Sequence, residues 1–128
     1  MKVAIYPGSF NPWHEGHEDI LNKALEIFDH VVILQKSGPK IENFEIPYDD
    51  RVSYKKFEGL LADKVKALNP DAIIRGIRNG HDLQYETNLQ YWNEDLGVKC
   101  PFVYFICDRD KSHVSSSAIR EIKELKEL

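Results

Sequence analysis

The 128-residue sequence has two cysteines, one methionine and no long apolar run. Cys100 and Cys107 are too few, and too far from other ligand types, for a zinc site. They read as reduced thiols, at least one of them on a buried strand. No stretch approaches the ~20 apolar residues of a membrane span. Met1-Lys2-Val3 leads directly into a strand, with no signal-peptide pattern, so a cytoplasmic protein with no membrane partner is expected. There is no excess of basic residues either. A formal net charge of -4 argues against a sequence-independent nucleic-acid binder, whose affinity rests on many Lys and Arg contacts to phosphates. Also missing are Gly-x-x-x-x-Gly-Lys followed by Ser or Thr, and Gly-x-Gly-x-x-Gly, which disfavours a P-loop ATPase and a dinucleotide site. Without repeats, low-complexity segments or a linker, residues 1–128 read as one domain, and 42% hydrophobic with 30% charged residues suits a globular one.

What is present alternates between two periods. Val3-Ala4-Ile5-Tyr6 is short, apolar and partly β-branched, as a buried parallel strand is. Ile20, Leu21, Ala24, Leu25, Ile27 and Phe28 then recur at helical spacing. His30–Leu34 is a second strand, broken by Lys36-Ser37-Gly38-Pro39-Lys40, and a polar loop follows to about Asp50. Val52–Phe57 alternates like a strand, while Leu60, Leu61, Lys64, Val65 and Leu68 mark a helix that Asn69-Pro70 ends. Ala72–Ile74 is the next buried strand. Asn79-Gly80 turns the chain into a helix from about Asp82 to Leu96, capped by Gly97. Phe102–Ile106 is a further strand, and Ser115-Ser116-Ser117 caps a last helix. This order predicts an α/β fold, a single Rossmann-like domain whose parallel sheet carries helices on both faces and its ligand at the carboxyl ends of the strands.

Three of those strand ends are suited to anions. Gly8-Ser9-Phe10-Asn11-Pro12-Trp13-His14-Glu15-Gly16-His17 joins the first strand to a helix N-terminus, where free N–H groups and the helix dipole attract phosphate. His14 and His17, three residues apart on one side, can each hydrogen-bond a phosphate oxygen, and protonation would add charge. The blander alternative is a helix cap beside Glu15, Glu18 and Asp19. Arg75-Gly76-Ile77-Arg78 brings two guanidiniums to the sheet edge, where Arg grips phosphate bidentately, and Gly76 would let a ligand approach the backbone. Asp82 and Glu86 would otherwise pair with these arginines at the surface. Val114-Ser115-Ser116-Ser117-Ala118-Ile119-Arg120, an ordinary cap taken alone, adds a third set of donors. Together they imply a nucleoside triphosphate.

These residues resemble phosphopantetheine adenylyltransferases, of the His-x-Gly-His nucleotidyltransferase superfamily. The likeness is carried by Gly8 to His17, by Arg75-Gly-Ile-Arg78 with Asp82, Tyr85 and Glu86, and by Ser115-Ser-Ser; Phe28-Asp29-His30-Val31 and Phe57-Glu58-Gly59-Leu60-Leu61 extend it over about Val3 to Ile122. The first motif is shared across the superfamily, whereas Phe57 to Leu61 and Arg75 to Glu86 point to this branch.

The resemblance implies transfer of AMP from ATP to 4'-phosphopantetheine, giving dephospho-coenzyme A and pyrophosphate, with Mg2+ entering on the ATP and no protein metal site. It implies ATP contacts from Ser9, Phe10, His14 and His17, from Gly76, Ile77, Arg78 and Glu86, and from Lys111, Ser112, His113, Val114, Ser115, Ser116 and Ser117. Acceptor contacts fall to Ser9, Lys40, Leu61 and Arg75. His17, Lys40 and Arg75 become the catalytic set, as electrostatic stabilisers; Lys36 is the alternative to Lys40, because the loop aligns only with a gap. The family's homohexamer implies a homo-oligomer.

Four departures from the family pattern stand out. His14 replaces a usual Thr and restores the full His-x-Gly-His found in nicotinamide mononucleotide adenylyltransferases, so that acceptor is the main alternative. Asn11 replaces Asp, the segment between Lys40 and Phe57 is too short for the family's helix, and the chain stops soon after Arg120. A cytidylyltransferase fits the Arg75 to Glu86 segment poorly. A non-catalytic nucleotide-binding protein is the alternative from a different class.

Overall fold

The computed structural model describes residues 1–38, 49–108 and 123–125. Five strands and three helices are assigned among them: β1 (Val3–Gly8), α1 (Glu15–Leu25), β2 (His30–Lys36), β3 (Val52–Phe57), α2 (Leu61–Leu68), β4 (Ala72–Ile77), α3 (Gly80–Asp95) and β5 (Phe102–Ile106). The strands form one parallel sheet in the order β3-β2-β1-β4-β5. From β1 the chain steps outward to β2 and β3, then returns to β4 on the other side. The strand order therefore reverses between β1 and β4, and such a reversal opens a crevice at the carboxyl ends of the strands.

Side chains alternate across the sheet and build two cores. Ala4, Tyr6, Val31, Ile33, Ala72 and Ile74 face α1, which buries Ile20, Leu21 and Ala24 against them. On the other face, Ile5, Val32, Leu34 and Ile73 pack with Ala62 and Val65 of α2 and with Val98. Arg75 shares the parity of Ile73, so α3, whose Glu86 binds Arg75, lies on the α2 side. The α/β reading with helices on both faces holds.

Element ends differ from the sequence reading for local reasons. β1 runs on to Gly8 because β2 keeps its backbone paired that far, and β4 runs on to Ile77 because β5 does the same, whereas β1 and β4 pair with each other only at Ala4–Ala72 and Ile5–Ile73. Arg75 and Gly76 thus sit on the strand, not beyond it. α1 stops at Leu25, and Phe28 is buried from a turn whose N–H donates to the Ala24 carbonyl. α2 ends at Asn69, whose φ of 47° is the left-handed conformation that Asn tolerates. α3 begins at Gly80, since the Asn79 side chain accepts from the Asp82 N–H as the cap. Neither cysteine lies on a strand: half-buried Cys100 and buried Cys107 flank β5. Of the helix expected after Ser117, residues 123–125 are helical and the rest falls outside the described residues.

Candidate functional site

The crevice between β1 and β4 is a cleft of about 500 Å³. Its first wall is the loop after β1. Phe10 takes a φ of 48°, a conformation costing a bulky residue about 1–3 kcal/mol, and holds it because the ring is buried. The Phe10 ring packs on Tyr6 at 5.0 Å, Trp13 at 5.2 Å and His17 at 4.9 Å between centroids. A Cβ at Gly8 would stand 2.9 Å from that ring, so only glycine fits there.

The N-terminus of α1 supplies the two histidines. His14 is the N-cap: its Nδ1 accepts from the Gly16 N–H at 3.0 Å, and its own N–H donates to Nδ1 of His17 at 3.2 Å. The rings stack at 3.8 Å. A Cβ at Gly16 would come within 2.9 Å of the His14 ring, which explains glycine in the motif. Because both Nδ1 atoms accept backbone protons, each neutral ring carries its hydrogen on Nε2. Burial, reinforced by His14, Arg75 and Arg78, lowers the His17 pKa to about 3. Burial also lowers His14, with help from Arg78. The charge that protonation would have added is therefore absent near neutral pH. His17 meets an anion as a neutral donor.

Opposite stand β4 and α3. Arg75 donates from Nε and from a terminal nitrogen to Glu86, at 2.7 and 2.8 Å, and from its other terminal nitrogen to the Pro7 carbonyl at 2.6 Å. Of its five N–H groups, three are thus engaged among the described residues and two remain for a ligand. Glu86 is buried, so this is an internal pair and not the surface pair weighed from sequence. Arg78 is more open, pairing with Asp82 at 2.9 Å. Gly76 lines the cleft and also serves the packing behind it. A Cβ there would meet Cγ1 of Ile20 at 2.9 Å, so the glycine lets α1 lie against β4.

The cleft gathers Ser9, Phe10, His14, His17, Arg75, Gly76, Ile77, Arg78 and Glu86, all drawn from the sequence, together with Tyr6, Pro7, Gly8, Gly16, Ile20, Asp82, Tyr85 and Cys107. Leu61 is not among its lining residues; it starts α2 and packs on the opposite core. Lys36 ends β2 and is exposed, also away from the lining. Lys40 and Lys111 through Ser117 lie outside the described residues. Two residues escaped the sequence reading. Asp19, counted there among the acids of the helix start, is buried and accepts from the Asp108 N–H at 2.9 Å and from Lys23 at 3.1 Å, tying α1 to the end of β5. Gln35 is buried beneath the Ser9 loop; an amide at the end of an apolar strand was its only signal.

The profile of the cytidylyltransferase-like family matches residues 5–122. A phosphopantetheine adenylyltransferase from Cytophaga hutchinsonii is 37% identical, over 94% of this chain and 89% of its own length. Another from Mycoplasma capricolum is 37% identical over 96% of this chain and 97% of its own length, so a protein spanned almost fully by this chain bears the same name. A solved lipopolysaccharide core biosynthesis protein from Thermoplasma volcanium superposes with a TM-score of 0.61 at 21% identity, over 84% of this chain and 98% of that one; it shares the fold.

Proposed function

The chain belongs to the cytidylyltransferase-like family, within its phosphopantetheine adenylyltransferases, and from that membership we propose that it transfers AMP from ATP to 4'-phosphopantetheine for coenzyme A synthesis. The observation that carries the reading is the convergence of His14, His17, Arg75 and Arg78 on one cleft at the strand-order reversal. The acceptor's phosphate oxygen attacks the α-phosphorus, a bond to α-phosphorus forms, and the bond to the bridging oxygen breaks to release pyrophosphate. The nucleophile is already an anion, so no protein nucleophile is needed. What the chain contributes is alignment of two mutually repelling anions and stabilisation of the transition-state charge.

In this reading the Nε2–H groups of His14 and His17 and the two uncommitted N–H groups of Arg75 point the donors. His17 acts by hydrogen bonding without charge, while Arg75 and Lys40, or Lys36 in its place, bring positive charge. Ser9 and Leu61 serve the acceptor, and Ser9, Phe10, Gly76, Ile77, Arg78, Glu86 and the segment from Lys111 to Ser117 serve ATP. Mg2+ carried in on the ATP would neutralise part of the triphosphate charge. Among the described residues no group of three or more potential ligands is poised for a metal, and the cleft's carboxylates, Asp82 and Glu86, are each held by a guanidinium. A cytoplasmic setting and a homo-oligomer belong to the same proposal; no described helix is long and apolar enough to cross a membrane.

Pyrophosphate release from ATP and Mg2+, with 4'-phosphopantetheine or nicotinamide mononucleotide offered separately, tests the assignment. Release is expected with phosphopantetheine alone. Removing a transition-state donor costs ~10²–10³ in turnover, so His17→Ala should lower kcat by about that factor while changing ATP affinity much less. Release with the mononucleotide alone would move the protein to the acceptor that His14 favours.

A further inference from the structure

Gln35 is fully buried at the carboxyl end of β2, on the face that also carries Val31 and Ile33. A buried amide is tolerated only when its atoms are bonded. Its Nε2 donates to the Ser9 carbonyl at 3.0 Å, and its Oε1 accepts from the Tyr54 hydroxyl. The sheet register explains the reach. Gln35 pairs with Gly8 of β1, the residue just before Ser9, while Tyr54 of β3 pairs with Ile33 and so projects on the same face. The hydroxyl, its pKa raised by burial, stays a donor.

The accepting carbonyl belongs to the peptide that enters Phe10. In a trans peptide the C=O and N–H are coplanar and antiparallel, so holding the Ser9 oxygen fixes the direction of the Phe10 N–H as well. That plane adjoins the unusual φ of Phe10 and lines the cleft. The Phe10 ring anchors the loop by apolar packing, which sets its depth but not the rotation of the preceding peptide. Gln35 supplies the rotational constraint.

We propose that Gln35, braced by Tyr54, is a positioning residue that orients the Ser9–Phe10 peptide toward the phosphate groups of the nucleotide. The proposal rests on reading the cleft as the nucleotide site. Calorimetric titration with ATP and Mg2+ tests it on the full chain, with Gln35→Met, which keeps the volume but loses the hydrogen bonds to Ser9 and Tyr54, and with Tyr54→Phe, which removes the hydroxyl that braces the amide. One hydrogen bond corresponds to roughly a tenfold change in an equilibrium constant. Gln35→Met is therefore expected to raise the Kd and the KM for ATP about tenfold, and Tyr54→Phe by a smaller factor. A purely structural role would lower the binding stoichiometry with the folded fraction and leave Kd and KM unchanged, and that outcome overturns the proposal. If Gln35→Met does not fold, Tyr54→Phe decides, an unchanged Kd counting against. Wild-type protein that binds ATP without releasing pyrophosphate to phosphopantetheine would defeat the acceptor assignment while leaving Gln35 to be judged on Kd. No ATP binding by the wild type would overturn both.

Discussion

A histidine that cannot easily take a proton changes how its pH behaviour is read. His17 is held between the His14 N–H on Nδ1 and an aromatic wall of Tyr6, Phe10 and Trp13. Charging it would break the Nδ1 contact and bury a cation beside two guanidiniums. Its pKa of about 3 lies below the ordinary 6.5 that the unfolded chain retains. Between those values the unfolded state binds the extra proton, so stability falls as pH falls, by about 1.4 kcal/mol per pH unit. Urea unfolding at pH 7 and pH 5 should show wild-type protein losing about 2 kcal/mol more than His17→Gln. Equal losses would mean that His17 titrates normally. The motif that names His14 and His17 was plain in the sequence, since residue types and their spacing mark a helix N-terminus. Their tautomers were not, because these depend on which backbone N–H groups the folded loop aims at Nδ1. For the same reason Arg75 and Glu86 were legible as partners, but not that burial makes the pair a fixed scaffold with two donors left over.

At the level of elements, the packing of α1 on β4 sets how closely the histidines approach the arginines. Gly76 is the contact that permits it, with Ile20 lying where a side chain would be. Gly76→Ala should cost about 1–3 kcal/mol through overpacking, and little when Ile20 is already alanine. A double-mutant cycle by urea denaturation reads that coupling; equal costs in both backgrounds would place the strain elsewhere. The cap of α3 offers a separate check, because Asn79 serves the Asp82 N–H while Asp82 holds both the N–H and the guanidinium of Arg78. Asn79→Ala is expected to lower the melting temperature by the equivalent of about 1 kcal/mol and to weaken ATP binding through Arg78. Unchanged ATP affinity would separate the cap from the site. Element order and type were readable because buried parallel strands are apolar runs and α1 and α2 keep an apolar stripe. The strand ends were not, since pairing carried β1 through Pro7 to Gly8 and β4 through Arg75 and Gly76, residues that local pattern assigns to turns.

For the whole molecule, α3 is where local pattern and tertiary packing part company. Its buried residues are Glu86 and Asn93, both polar, whereas Tyr85, Trp92 and Leu96 are 64%, 69% and 42% exposed. With Leu89 these fall at i, i+4, i+7 and i+11, one stripe along the helix. Periodicity in the sequence marks an apolar stripe but not what covers it, and equating the stripe with core would have turned α3 the wrong way round. Three large apolar side chains in a row are costly to leave in water, and contiguous patches of this kind mark association surfaces. A second copy is the occupant that agrees with the homo-oligomer implied by the family resemblance. Tyr85 also lines the cleft, so association through this stripe would reach the site's edge. Light scattering should therefore give a multiple of the single-chain mass for the wild type and a shift to the single-chain mass for Trp92→Glu. Because Trp92 is exposed and makes no part of either core, that variant should keep the wild-type unfolding midpoint when compared as monomers. A monomeric wild type, or a Trp92→Glu protein that remains assembled, would remove the stripe from the interface.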